Sequence, residues 1–183
     1  MEAVASHLES TFGVEIKKLL ATEGWNVLSN KQREMILMTL RCQTKANEKD
    51  PESQEFVERM FCHSAVRSLE TGRFPNSKLD GIPLSDFFEA KFDTYRTVEG
   101  LSRFVNKLGF PVVAHVGNYP RLPFLHTFLI LGHDETDNLL VWGKKGLGLS
   151  DPFYVDTLQK EFEFFGPTKY WGVRKLKNTT SNS

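Results

Sequence analysis

The apolar residues of this chain change their spacing near residue 110, from the three-to-four repeat of helices to the short branched and aromatic runs of strands. Before that point Val4, Leu8, Phe12, Ile16, Leu19 and Leu20 recur at helical spacing, with Gly13 weakening the middle, so a helix or a broken pair of helices is expected over 4–20. Ser29 or Asn30 can cap a second helix at about 30–43, with Met35, Ile36, Met38, Thr39 and Leu40 on its buried side. Asp50-Pro51 has the form of an N-cap followed by a first-turn proline, and 51–71 reads as strongly helical with Gly72 as its stop. The stretch 73–85, carrying Pro75, Gly81 and Pro83, is expected to be a loop. Val98, Leu101, Phe104, Val105 and Leu108 then predict an amphipathic helix over about 97–108, ended by Gly109.

Beyond residue 110 the runs at 111–116 (PVVAHV), 125–131 (LHTFLIL), 138–142 (NLLVW) and 170–176 (YWGVRKL) read as strands separated by turn residues. The segment DETDN at 134–138 joins the second and third as a hairpin. A short helix capped by Asp156 is expected over 156–165, and 178–183 (NTTSNS) reads as a disordered tail. Helices followed by an antiparallel sheet make an α+β protein rather than a chain of βαβ units.

With 183 residues, 40% apolar and 12% aromatic, the chain can bury a core of its own, and one domain over 1–177 is expected. Within it, 1–50 forms a helical N-terminal extension and 51–177 the core region. Its 23 basic side chains balance 23 acidic ones, so the net field steers it toward neither nucleic acid nor an anionic membrane. The start lacks the basic and apolar pattern of a secretory signal, and no apolar stretch approaches the roughly 20 residues that span a bilayer; a cytoplasmic protein is expected. Two cysteines, Cys42 and Cys62, form neither a disulfide framework nor a paired metal motif.

Thiol hydrolysis needs a sulfur that can become a thiolate, an imidazole within reach, and a third polar group that orients the ring. A helix start lowers a thiol pKa and a strand holds a ring still, placements that suit Cys62 and His126. The segments at 61–68 (FCHSAVRS), 108–116 (LGFPVVAHV) and 126–134 (HTFLILGHD) together resemble, in order, the elements of papain-like cysteine hydrolases, among them bacteriocin-leader peptidases and NlpC-type peptidases. The resemblance covers about 51–176. It implies a papain-like fold, Cys62 as nucleophile, His126 as base, a peptide or protein substrate, and neither cofactor nor metal. Such families commonly carry Asp or Asn about sixteen residues past the histidine, where this chain has Trp142 followed by Gly143, Lys144 and Lys145. Asp151 is the candidate substitute.

The residues also permit other readings. Nothing in 58–61 interrupts a helix, so Cys62 could sit in the middle of one continuous helix as a small apolar filler. His126 could be a hydrogen-bonded strand histidine, and the domain a catalytically silent one that binds a protein or peptide. His63, His115 and His126 with a carboxylate could hold a metal, although no paired ligand spacing supports it. The run GKKGLG at 143–148 lacks phosphate-loop spacing and reads as a turn whose lysines rim a cleft. Cys42 reads as core.

Overall fold

The computed structural model describes residues 12–76, 90–118, 124–146 and 148–177. Among the described residues five helices come first: α1 (Gly13–Ala21), α2 (Glu23–Val27), α3 (Asn30–Asn47), α4 (Pro51–Arg59) and α5 (Cys62–Thr71). Then follow β1 (Lys91–Thr94), α6 (Val98–Leu108), β2 (Val112–Gly117), β3 (Phe124–His133), β4 (Leu139–Lys144), β5 (Phe153–Thr157), α7 (Leu158–Phe165) and β6 (Tyr170–Lys175). The strands form one six-stranded sheet in the order β1-β6-β2-β3-β4-β5, every neighbouring pair antiparallel. The protein is α+β, as its periodicity predicts.

Strand alternation sends side chains to two apolar layers. On one face Val113, Leu129, Leu131, Leu140 and Trp142 pack with Leu19, Ile36, Leu40, Val57, Val66 and Leu69 of the first five helices. On the other, Ala114, Phe128, Ile130, Val141 and Trp171 pack with Leu101 and Val105 of α6 and Leu158 and Phe162 of α7. The helices before residue 50 are therefore part of the core. Trp142 donates its indole N–H to Thr39 Oγ1 at 3.2 Å, and the Phe153 amide donates to Gln43 Oε1 at 2.9 Å, so α3 is pinned to β4 and β5 by polar bonds as well as by packing. A fully buried tryptophan contributes upwards of about 2 kcal/mol through burial alone, and its indole N–H adds a demand for a partner that Thr39 meets.

Local signals account for most boundaries. Ser29 and Gln32 form a reciprocal capping box at the start of α3, and Asp50 caps α4 through the Ser53 amide. α6 opens on Thr97, which accepts from the Gly100 amide, and closes on Gly109 at φ 71°. Four boundaries differ from the expectations. The helix predicted to end near 43 continues to Asn47, and a five-residue helix, α2, intervenes before it. The continuous 51–71 helix is broken at Met60 and Phe61. Asp156 lies within β5 rather than capping α7; the cap is Thr157, whose hydroxyl accepts from the Lys160 amide. β1 and β5 were not signalled by alternation. The expected loop beyond residue 76, the start of the first helix and the tail at 178–183 lie outside the described residues. Among the described residues no helix is long and apolar enough to cross a membrane.

Candidate active site

The first question is where Cys62 stands on its helix. The backbone leaves α4 at Met60 (φ −92°, ψ 144°) and stays extended through Phe61 (φ −130°, ψ 171°), so Cys62 is the first residue of α5. Phe61 has no side-chain acceptor, and the turn is closed from the other side: Ser64 Oγ accepts the Phe61 amide at 2.9 Å and donates to the Phe61 carbonyl at 3.0 Å. Met60 is fully buried, which anchors the break in the core. Cys62 therefore has the helix terminus that a continuous helix would have denied it.

α5 packs under β3 and β4, and its first residue reaches the sheet where those strands part. The β3–β4 ladder ends at the pair Phe128 and Gly143. One residue further along β3 is Thr127, whose amide lies close enough to the Cys62 sulfur to favour its thiolate. Burial pushes the Cys62 thiol above its usual pKa, against the downward pull of the Thr127 and His63 amides, the Lys144 charge and its own amide. At neutral pH the sulfur rests as a thiol, half-buried and surrounded by donors.

His126, the residue before Thr127, leaves β3 toward the opposite face and bridges the same gap. Its Nε2 lies 2.9 Å from Tyr154 Oη on β5, two strands away, and 4.0 Å from Glu161 Oε2 on α7. Gly143 makes this reach possible. It pairs with Tyr154 across the β4–β5 ladder, and a Cβ at residue 143 would come within 3.0 Å of Phe128 Cβ and 3.3 Å of Tyr154 Cε1. Glu161 in turn receives Lys145 Nζ at 2.8 Å, and Lys145 sits 3.8 Å above the Tyr154 ring. Tyr154 is held well above its usual pKa, by burial first and then by the charge and hydrogen bond of Glu161.

The Glu161 carboxylate beside Tyr154 favours one imidazole tautomer. A carboxylate accepts only, so the Tyr154 hydroxyl donates to Glu161 and its oxygen accepts from His126 Nε2–H. Nδ1 is then the bare acceptor nitrogen of the neutral ring. Burial, helped by the Lys145 charge, lowers the His126 pKa to about 4, so the neutral form prevails at pH 7. Phe165 stacks on the ring with centroids 5.5 Å apart.

Cys62 and His126 thus flank Thr127 from opposite faces of the sheet, the sulfur near the Thr127 amide and the ring bonded to Tyr154. The group that orients His126 is neither Trp142, which packs on the α3 side, nor Asp151. Asp151 instead contributes its backbone carbonyl to Lys144 Nζ at 2.6 Å, alongside the carbonyls of Gly146 at 3.2 Å and Gly148 at 2.8 Å. Lys144, which the sequence suggested as a cleft rim, is wholly buried and ties down the β4–β5 turn; burial brings its pKa to about 8. Tyr154 and Glu161 were missed, and the one sequence trace of them is the glycine at 143.

The remaining candidates belong to a second polar chain on the α5 face. Arg174 Nε donates to His115 Nε2 at 3.3 Å, and His115 Nδ1 bonds Thr127 Oγ1 at 2.9 Å, so His115 braces β3 at Thr127. Burial, then the charges of Arg174 and His63, hold the His115 pKa well below its usual value. Arg174 also makes a two-point ion pair with Glu70, which accepts the Lys177 amide at 3.0 Å as well. His63 lies with its ring centroid 6.0 Å from that of His115. Asp134 closes the β3–β4 hairpin by accepting the Thr136 and Asn138 amides, and His133 bonds Glu23. Cys42 packs against the α1–α5 core. Among the described residues no three His, Cys, Asp or Glu side chains converge as a metal site. No protein-family model, curated protein or solved structure matches this chain.

Proposed function

We propose that this domain is a papain-like cysteine hydrolase that cleaves an amide or related acyl bond in a peptide or protein. The observation that carries the reading is the Glu161–Tyr154–His126 chain. On this reading Tyr154 and Glu161 take the role of the missing Asp or Asn, and His126 Nδ1 is the nitrogen that serves the Cys62 sulfur at its helix start. Nδ1 takes the thiol proton as the sulfur adds to the carbonyl carbon, and the resulting imidazolium is stabilised by Tyr154 and Glu161. The oxyanion faces the amides at the start of α5, freed from the sulfur as it bonds to carbon. Collapse expels the amine, which carries away the proton from Nδ1, and water releases the acyl group by the reverse sequence.

The test is acyl-enzyme formation with p-nitrophenyl acetate, read by mass spectrometry at each cysteine. Cys62 is expected to acetylate far faster than Cys42, and His126→Ala to slow that step by about 100-fold or more, the usual worth of a positioned base. Equal and slow acetylation of both cysteines would end the hydrolase reading.

One observation favours a second reading, a catalytically silent domain that binds a peptide or protein at the same cleft. The thiol is pushed up and the imidazole down to about 4, so the resting pair is uncharged rather than a thiolate–imidazolium pair. Binding without acylation in the same assay would select it.

A further inference from the structure

His126 is 2% exposed, so the imidazole assigned to the chemistry is closed off from solvent. Three rings lie against it: Phe128 with centroids 5.5 Å apart, Tyr154 at 6.1 Å, and Phe165 at 5.5 Å, the last stacked at an interplanar angle of 28°. Phe128 and Tyr154 belong to β3 and β5 and are buried in the sheet layer. Phe165 differs from both, because it is the last residue of α7 and is half-buried. Of the three rings it is the one that also meets solvent, which places it between the imidazole and the outside.

α7 is fastened unevenly. Leu158, Glu161 and Phe162 in its first two turns are buried, and Phe162 stacks on Trp171 with centroids 5.5 Å apart. Of its last three residues, Glu163 and Phe164 are exposed, Phe164 to 80%, while Phe165 packs on the body through His126 and edge-on to Trp171 at 6.1 Å. The helix stops at Gly166 (φ 81°), where an added Cβ would meet nothing within 4 Å, so the backbone just beyond Phe165 borders open space. A last turn tied down by one half-buried ring can swing outward chiefly at the cost of that ring's contacts.

We propose that Phe165 is an autoinhibitory cap: it closes the His126 side of the site in the resting protein, and a substrate enters after the last turn of α7 carries the ring away. The cap itself stands on the packing of α7 against His126. That lifting it frees chemistry rests on the hydrolase reading.

The experiment is carbethoxylation of the full chain by diethyl pyrocarbonate at pH 7, mapped by mass spectrometry in wild type, Phe165→Ala, Phe165→Leu and Phe164→Ala. The reagent acylates a neutral imidazole nitrogen, so its rate reads access to each ring. His133, with a side chain 25% exposed, and His115, fully buried on the α5 face, serve as internal standards. A capped ring is reached through a minor open state, populated at about 10% or less, so Phe165→Ala is expected to speed modification of His126 about 10-fold or more. Phe165→Leu keeps an apolar cover and gives a smaller gain. Phe164→Ala changes an exposed side chain, leaves the cap in place and stays at the wild-type rate. Modification of His126 in wild type as fast as His133, or a rate unmoved in both Phe165 variants, overturns the proposal. So does an equal gain at His115, because the whole fold would then have loosened. Cys62 acetylation is followed in the same variants, and a faster rate in Phe165→Ala joins the cap to the chemistry. An uncovered His126 with no acetylation of Cys62 supports the cap and removes only the hydrolase reading.

Discussion

The neutral state of His126 makes a quantitative prediction about stability against pH. Its pKa is about 4 in the folded protein against an ordinary value of 6.5, because burial and the Lys145 charge disfavour the imidazolium. Between those values the unfolded chain binds a proton that the folded chain refuses, so stability falls as pH drops through the window and is fully present above about 6.5. At ~1.4 kcal/mol per pH unit, the interval from 6.5 to about 4 comes to about 3 kcal/mol, an order-of-magnitude figure for a group only 2% exposed. His115, lowered in the same direction, adds to the wild-type slope. The depressed carboxylates, Glu23, Asp50 and Asp134, act lower in the acid range. The way to isolate His126 is a difference: urea denaturation of wild type and His126→Gln at pH 7, 6, 5 and 4. The variant starts less stable, because Gln cannot reproduce the ring stacking, and then loses roughly 3 kcal/mol less than wild type between pH 7 and 4. Parallel curves for the two proteins would refute the reasoning, since His126 would then titrate alike folded and unfolded.

Three further perturbations bear on the same framework. Glu70→Ala strands the Arg174 guanidinium at a buried site and should cost about 3–5 kcal/mol in urea denaturation, while replacing both partners with apolar residues should recover much of that loss. Gly143→Ala places a methyl against Phe128 and Tyr154 and is expected to cost about 1–3 kcal/mol. If Tyr154 orients His126, the same change also slows Cys62 acetylation well beyond its effect on stability. Thr39→Val removes the acceptor of the Trp142 indole and should destabilise by about 1–3 kcal/mol, measured by thermal or urea unfolding with the sheet otherwise intact.

What the sequence made readable is governed by how local the cause is. α6 carries its own cap at Thr97, its own stop at Gly109 and a clean apolar stripe, so its limits follow from the consecutive residues between those two. The strand bearing His126 is equally plain in the run HTFLILGH. The break before Cys62 has no such signature, because it is held by a buried Met60 and by Ser64 bonding backward onto Phe61, a contact that exists only once the chain has turned. β1 is a four-residue, mostly exposed edge strand with no alternation to detect. The shift of one residue at α7, from Asp156 to Thr157, is a competition between two good caps: Asp156 accepts the Thr157 amide at 2.8 Å and pairs with Lys160, leaving Thr157 to receive the helix. Tyr154 was out of reach for a different reason. Counting residues past a histidine finds a partner on the adjacent strand, whereas Tyr154 comes from the strand beyond, across a glycine, in a register that no spacing rule contains.

That substitution of a neighbour's side chain for a missing one alters the electrostatics of the site. An Asp or Asn beside His126 would contact the ring directly. Here the carboxylate is one hydroxyl further away, 4.0 Å from Nε2, and is shared with Lys145, whose charge opposes protonation of the ring. Burial first, and then the Lys145 charge, hold the imidazole down to about 4, and a carboxylate reached only through the Tyr154 hydroxyl does not offset them. On the hydrolase reading, the proton then leaves sulfur only when a bound carbonyl is ready to take the electron pair, and the resting thiol is poorly reactive toward simple alkylating agents. Removing the opposing charge with Lys145→Met should raise the His126 pKa, measurable by NMR titration of the ring, and increase the rate of Cys62 alkylation by iodoacetamide at pH 7. An unchanged His126 titration in that variant would mean that burial alone sets the ring's state, and the alkylation rate should then stay where it was.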